Sequence, residues 1–547
     1  MRRTGAAAGV ACLAVVALAA PQAANGQAFG GSASLNTELY YVDGREARRP
    51  PMMGRLTVSP SLDLWGISLG LNLTYDTESS YTVRSLNRYA LSPSWSWGTL
   101  YIGDHAPAIG ELMLQGTTVR GAGLELSPGP VRLRFHRGRA DDAVFTDPLG
   151  FGTVDDRRFD VGVPFSLSRR VYAGSARLGS DRNHVEILAF QGHDQHEVPD
   201  TLSLMPAENL VLGLAMAFEP RRGWRLGGTV YGSIHSLDRR LEPIADFSAR
   251  AEIGWPGGVL DRIHPIRPGT HGDLAYRVDA EAPLPWGGLR LRLEEIGPGY
   301  TSLGIPSLPN NWRSVEGTLT LALLGGRLAG SLGGGWRGDG LVDDGAGQTD
   351  RMTVNTVVSY QAGPALGLVG SVMLNQLERR AAVDTFALVN VARSVTLAPR
   401  YTPRGGESPH GFSIQASWQE TETKPGVLAP FGAQFVSLGV GYDYSVSPAM
   451  SIGVQPSLVR SSDPEQTEQL LTGAASASYR PPGSPLALSV TASGGESVMG
   501  GMAQLAGNGR YDLGPMGALA LNLRGSAYFG DLDYREFAMS VGLARSF

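Results

Sequence analysis

The stretch that most constrains the fold is the last one, residues 535–547, which reads R-E-F-A-M-S-V-G-L-A-R-S-F. Phe537, Met539, Val541 and Leu543 fall at every second position, with Ala538, Ser540, Gly542 and Ala544 between them. A period of two is a strand, because successive side chains leave a pleated backbone on opposite faces. A half-buried strand in water sets charged residues opposite its core face. Here the opposite face is small and uncharged, so the bulky face is the outer one, apolar toward lipid, with small or polar residues toward an interior. The pattern recurs upstream. Ile67, Leu69, Leu71, Leu73 and Tyr75 share one face against Ser68, Gly70, Asn72, Thr74 and Asp76, beside the tight Trp65-Gly66 connection. Short alternating segments with turn residues between them continue from residue 31 to the terminus.

A chain of 547 residues ordinarily suggests several soluble domains, but the composition points to one all-β unit. Only 18% of residues are charged, glycines number 73, and Lys424 is the one lysine. The net charge of −5 predicts no nucleic-acid partner. Arg2 and Arg3 precede an apolar run at 6–20, and small residues follow at 24–28. That is the form of a secretory signal peptide, giving a division into a leader at 1–28 and a barrel at 29–547. Cys12, the one cysteine, lies inside the leader, so the exported chain uses no disulfide. No later apolar run reaches the length of a spanning helix, so membrane residence requires a closed barrel.

Counting segments gives a large closed antiparallel transmembrane β-barrel of about 26 strands, with 24–28 open. The uncertain region is 140–271, where a strand at 159–167 forces 194–208 into a short-turn role that its length does not fit. From residue 270 onward, compact connections alternate with longer ones at 297–311, 337–350, 377–386 and 421–431. Short turns at one end and long loops at the other orient a barrel, with both chain ends on the short-turn side. No stretch reads as a separate plug or periplasmic domain, which would need its own helices or core.

Few residues on the inward faces carry charge. Arg132, Arg134 and His136 alternate against Val131, Leu133 and Phe135; Arg290, Arg292 and Glu294 alternate against Leu289, Leu291 and Leu293; Arg524 opposes Leu519, Leu521 and Leu523. These lumen-lining candidates have two readings: a wall that attracts anionic solutes, or arginines neutralised by inward carboxylates. His193, Asp194, His196, Glu197 and Asp200, with His184 on the preceding strand, read as a turn with donors for a divalent cation, though hairpin loops gather such residues anyway. Asp339, Asp343, Asp344 and Asp350 lack the alternating ligand register of a calcium loop. No metal and no cofactor is expected. No Gly-x-Ser-x-Gly elbow between a strand and a helix is read, since the one match in spacing, Gly66 to Gly70, falls on the alternating stretch 67–75, and no His-Glu-x-x-His is present, so no enzyme is expected either. Two long connections stand apart, 105–117 (HAPAIGELMLQGT) and 297–311 (GPGYTSLGIPSLPNN). An exposed loop is usually more polar than these, so they suit burial inside the lumen.

Ser540-x-Gly542 followed by a terminal Phe547, taken with the leader and the loop alternation, resembles the bacterial outer-membrane β-barrel proteins. The motif departs at Arg545, where an apolar residue is expected; an arginine near a strand end can carry its head to the interface. The resemblance implies insertion by the barrel-assembly machinery, with Ser540, Gly542 and Phe547 as the assembly signal, and a belt of outer-membrane lipid. It implies a porin-like channel passing solutes across the cell outer membrane. Alternatives are a scaffold or translocation conduit filled by a lumen-plugging protein, and an outer-membrane lipid or ester hydrolase assembled from separate strands. Nothing marks the plug domain of TonB-dependent receptors or the soluble modules of ushers. A circular barrel of ~26 strands measures roughly 50 Å across its backbone, which small inward side chains cannot close. The two low-charge connections are therefore the expected internal constriction.

Overall fold

The computed structural model describes residues 28–547 except 48, 78–86, 142–166, 196–203, 245–262, 343–346, 382–386, 404–409, 427–428, 464–466, 498–499 and 531–532. The expected leader lies outside the described residues, apart from Ala28. In chain order the strands are β1 (Ala28–Asp43), β2 (Met52–Leu64), β3 (Ile67–Asp76), β4 (Arg88–Trp95), β5 (Gly98–His105), β6 (Val119–Leu126), β7 (Val131–Asp141), β8 (Arg169–Gly179) and β9 (His184–Asp194). Next come β10 (Glu208–Phe218), β11 (Arg225–Ser236), β12 (Thr270–Leu284), β13 (Gly287–Ile296), β14 (Trp312–Leu323), β15 (Leu328–Asp339), β16 (Gln348–Gln361), β17 (Leu366–Arg380) and β18 (Leu388–Tyr401). The last are β19 (His410–Pro425), β20 (Phe431–Ser447), β21 (Met450–Ser462), β22 (Thr467–Tyr479), β23 (Leu486–Ser497), β24 (Gly500–Asp512), β25 (Ala518–Gly530) and β26 (Tyr534–Ser546).

Each strand pairs antiparallel with its sequence neighbours, and β1 pairs with both β2 and β26. The sheet is therefore a closed barrel of 26 strands, as the alternation predicts. Closure leaves no edge and satisfies every ladder within the chain, the condition for crossing lipid with strands. Register carries the two faces around the seam. Leu35, Leu543 and Leu519 stand in one row outside; Asn36, Gly542 and Ala520 stand in the next row inside. On β16 the outward stripe from Met352 to Tyr360 runs about 26 Å along the strand at ~3.3 Å per residue. Tilted by ~40° it covers about 20 Å, near the height of a lipid-facing band. Tyr360, Tyr479 and Tyr511 close that band toward the end that holds the chain termini, with exposed Trp65, Trp97 and Trp286 on the turns there. Such aromatics mark a membrane interface.

Connections from an even strand to the next odd one lie at the termini end, and all the compact connections foreseen in the sequence are among them. Trp65 and Gly66 form the two-residue turn, with φ of 50° and 83°. Positive φ at both central positions matches the right-handed twist of a hairpin. The far end corrects the sequence reading. Connections after β15, β17 and β19 are shorter than expected, because their polar ends (Arg337, Asp339, Asp350, Glu378, Thr421 and Glu422) continue as strand. Polar composition there marks strand rising above the apolar band rather than loop. The longest connections follow β5, β7, β9, β11 and β13, and those after β5 and β13 are the two long connections expected at 105–117 and 297–311. Residues 194–208 join β9 to β10 at this far end, and 159–166 lie outside the described residues.

Candidate functional site

The one apolar core of the described residues lies inside the barrel, where residues 106–118 and 297–311 fold inward together. The first is a tight hairpin. Ile109 N donates to Leu114 O at 2.9 Å and Leu114 N returns to Ile109 O at 3.1 Å. Gly110 makes its bend at φ 68°, and a Cβ there would stand 2.9 Å from the Tyr231 ring, so glycine alone fits. The second loop advances by single turns, Tyr300 N to Gly297 O at 3.1 Å and Ile305 N to Ser302 O at 3.0 Å. The two lock to each other through side chains. Tyr300 donates its hydroxyl to Leu112 O at 2.8 Å, Ser302 to Met113 O at 2.5 Å, and Thr117 to Gly304 O at 2.6 Å. Buried backbone groups need partners, and these bonds supply them where no ladder is available.

The seat is the inner wall from β6 to β14. Val119, Val171, Leu188, Phe190, Val211, Tyr231 and Ala275 pack against Ile109, Met113, Leu114, Tyr300 and Leu303. Asn209, wholly buried, takes Leu303 N on its oxygen at 3.1 Å and gives its amide to Thr301 O at 3.0 Å. Asp273 accepts from Gly299 N at 2.9 Å, and Arg134 donates to Ala108 O at 2.6 Å. Glu111 pairs with Arg277, which also holds Glu294. Among the described residues, no hydrogen bond or ion pair of the two loops reaches β16 to β26 or β1 to β4. The wall on that side carries hydroxyls and amides, such as Ser417 against Ser437 at 2.6 Å and Asn522 donating to Ser540 at 3.0 Å.

Arg132, Arg134, Arg290 and Arg292 pair with carboxylates on this inner wall. Arg134 donates to Ser175 at 2.9 Å and to Glu186, which lies 3% exposed and also receives Arg177 at 2.8 Å. Arg132 faces Asp181 at 3.4 Å, Arg290 faces Glu281 at 3.0 Å, and Arg292 binds Asp279 at 2.8 Å. Arg524 meets Gln504, whose amide oxygen accepts from it at 2.7 Å once the amide is turned toward it. His136 is buried over Gly123, 3.6 Å from Glu125, beside the His105 ring. Ser540 and Gly542 stand inward on β26 opposite Glu38 and Asn36, and Phe547 stacks on Phe29 at 5.1 Å. Sequence reasoning missed Glu186, Asn209, Tyr231 and Arg277. Parity along their strands marks them as inward, but only the folded loops make them contacts.

Among the described residues the candidate cation donors do not converge. His193 and Asp194 lie on β9 rather than in a turn, on opposite faces, with His184 at the other end of the strand. His196, Glu197 and Asp200 lie outside the described residues, as do Asp343 and Asp344. Asp339 accepts from Thr349 N, while Asp350 faces Arg380 at 3.7 Å. Ser236 and His264 do meet, at 3.1 Å, but both are fully buried and His264 Nδ1 has no partner among the described residues. Below the loops, toward the termini end, a cavity of about 980 Å³ opens between the hairpin and the wall. Leu112, Leu188, Arg134, Arg177, Arg225 and Arg292 are among its lining.

A closed barrel of even strand number, apolar outside and polar inside, with Ala28 and Ser546 at the short-turn rim, has the architecture of the bacterial outer-membrane β-barrels. No family model and no curated protein matches the chain. Among solved structures it is similar to the P pilus usher (PapC) translocation pore, at 10% identity and TM-score 0.43, over 95% of this chain and 100% of that one. It is also similar to Pseudomonas aeruginosa OccK8 (OprE), at 10% identity and TM-score 0.32, over 69% and 96%. A third is the outer membrane protein opdK of the same organism, at 11% identity and TM-score 0.31, over 66% and 98%. The assignment to outer-membrane barrels rests on the closed sheet and its two faces.

Proposed function

We propose that the barrel is a conduit for small hydrophilic solutes across the outer membrane, its lumen narrowed by the two inward loops. The observation that carries this reading is their shared buried core on the β6 to β14 wall. Loops that merely covered the rim would have no reason to bury Tyr300, Met113 and Leu114 at 1% exposure or less. The cavity beneath them has the volume of a small-molecule site and a polar, charge-balanced lining, which suits passage with weak ion preference. Export through a cleaved leader and insertion by the barrel-assembly machinery belong to the same reading, with Phe547 and its stacking partner closing the seam. No catalytic role is included in it. A second reading has its own support: among the described residues the two loops make no bond to the wall from β16 round to β4, which suits a lumen-plugging protein there.

The test is conductance in planar bilayers. Replacing 106–117 or 298–310 by a short glycine-serine link should raise single-channel conductance several-fold over the wild type. Very large conductance, unchanged by either deletion, would sink the loop constriction. A closed wild type with closed deletions would favour the partner plug.

A further inference from the structure

The outer surface carries one feature that a lipid-facing wall does not need. On the far-end side of the apolar band, Arg120 of β6 stands in register with Arg139 of β7, and Arg139 with Arg170 of β8. All three are exposed and point outward, since the inward positions of these strands are Val119, His136, Gly138 and Val171. Arg137, one outward position below, lies with its guanidinium 5.2 Å from the Tyr172 ring centre, and that ring stacks on His193 of β9. Like charges directly opposite one another destabilise a sheet. Several outward charges on other strands stand in opposite pairs: Arg313 with Glu295, Arg393 with Glu420, and Lys424 with Glu422. Asp104 of β5 binds Arg120 at 2.7 Å, whereas Arg137 and Arg170 have no carboxylate within ion-pair distance among the described residues.

We propose that Arg137 and Arg170, flanked by Arg120 and Arg139, form a binding surface for the headgroup of an anionic, phosphate-bearing lipid in the leaflet at the far end. Guanidinium groups match phosphate oxygens in pairs and keep their charge at any physiological pH. Basic residues at a membrane surface recognise anionic headgroups in this way. Directly below the arginines on β7 and β9, Phe135, Leu133 and Ile187 point outward and exposed. Acyl chains would lie along them while the phosphate meets the arginines, so the surface fits a lipid rather than a free anion. The inference rests on the barrel's lipid-facing wall and is independent of what passes through the lumen.

The experiment uses the full folded chain in neutral detergent, titrated with dioleoyl phosphatidic acid, dioleoyl phosphatidylcholine or inorganic phosphate and read by native mass spectrometry. Phosphatidic acid should be retained in preference to phosphatidylcholine. Arg137→Gln with Arg170→Gln should weaken its retention about 25-fold, at about fivefold per arginine, and leave phosphatidylcholine unchanged. Arg137→Lys with Arg170→Lys should keep most of the retention, and Arg460→Gln, a lone outward arginine on β21, all of it. Heat-modifiable migration checks that each variant is folded. Equal retention of the two lipids, or a double glutamine variant that binds like the wild type, overturns the proposal. So does displacement of phosphatidic acid by inorganic phosphate at matched concentration, or an equal loss in Arg460→Gln.

Discussion

Tyr300→Ala is the sharpest probe of the internal loops. The ring is 1% exposed at the centre of the core that joins 106–118 to 297–311, and its hydroxyl donates to Leu112 O at 2.8 Å. Removing a buried aromatic side chain costs about 3–5 kcal/mol. At ~1.4 kcal/mol per tenfold, the ratio of seated to released loops falls roughly 150-fold to several thousand-fold. Tyr300→Phe keeps the ring and strands only the Leu112 carbonyl, at about 1–3 kcal/mol, so it should fall between the two. Neither change touches a ladder bond, and the barrel itself should keep its heat-modifiable migration. Long-lived openings of larger amplitude in planar bilayers should appear in Tyr300→Ala, together with faster amide exchange at 106–118. If conductance and exchange both stay at wild-type values, the loops are not held by this core and the constriction argument fails.

Leu69→Arg and Leu521→Arg place charge on the lipid face at about 2–4 kcal/mol each near the midplane and should lower the yield of assembled protein. Asn72→Arg, on the inward face, should be tolerated; equal damage from all three would refute the facing. Deleting Phe547 removes the stack on Phe29 and the bond from its N–H to Gly31 O at 3.0 Å, so the folded fraction should drop in a heat-modifiability gel. Burial pushes the His264 imidazole down to about 4 from its ordinary ~6.5. The folded loop then binds fewer protons than the unfolded chain, so its seating is fully stable above about pH 6.5 and weakens as pH falls toward 4. The protection of the amides at 263–270, taken against their intrinsic exchange rates at each pH, should fall between pH 7 and pH 5, and His264→Gln should remove that dependence.

Along each strand, the sequence alone determined most of the architecture. A period of two with bulky residues on one face and Gly, Ala, Ser and Asn on the other is a local property, readable at Leu69 and Asn72 without knowing their neighbours. The same is true of compact turns such as Trp65-Gly66, whose φ values depend on two residues. Parity also set Arg134, Arg292 and Glu294 on the inward face. What parity leaves open is which strand stands beside which charge at what height. Glu186 meets Arg134 and Arg177 because β7, β8 and β9 adopt one register, and a shift of a single residue would turn every side chain of a strand to the other face. Polar strand ends such as Arg337 to Asp339 read as loop because composition records solvent rather than backbone. The low charge of 105–117 and 297–311 announced burial, but not that they would bury each other. That contact spans nearly 190 residues of sequence, and only the closed wall brings Tyr300 to Leu112.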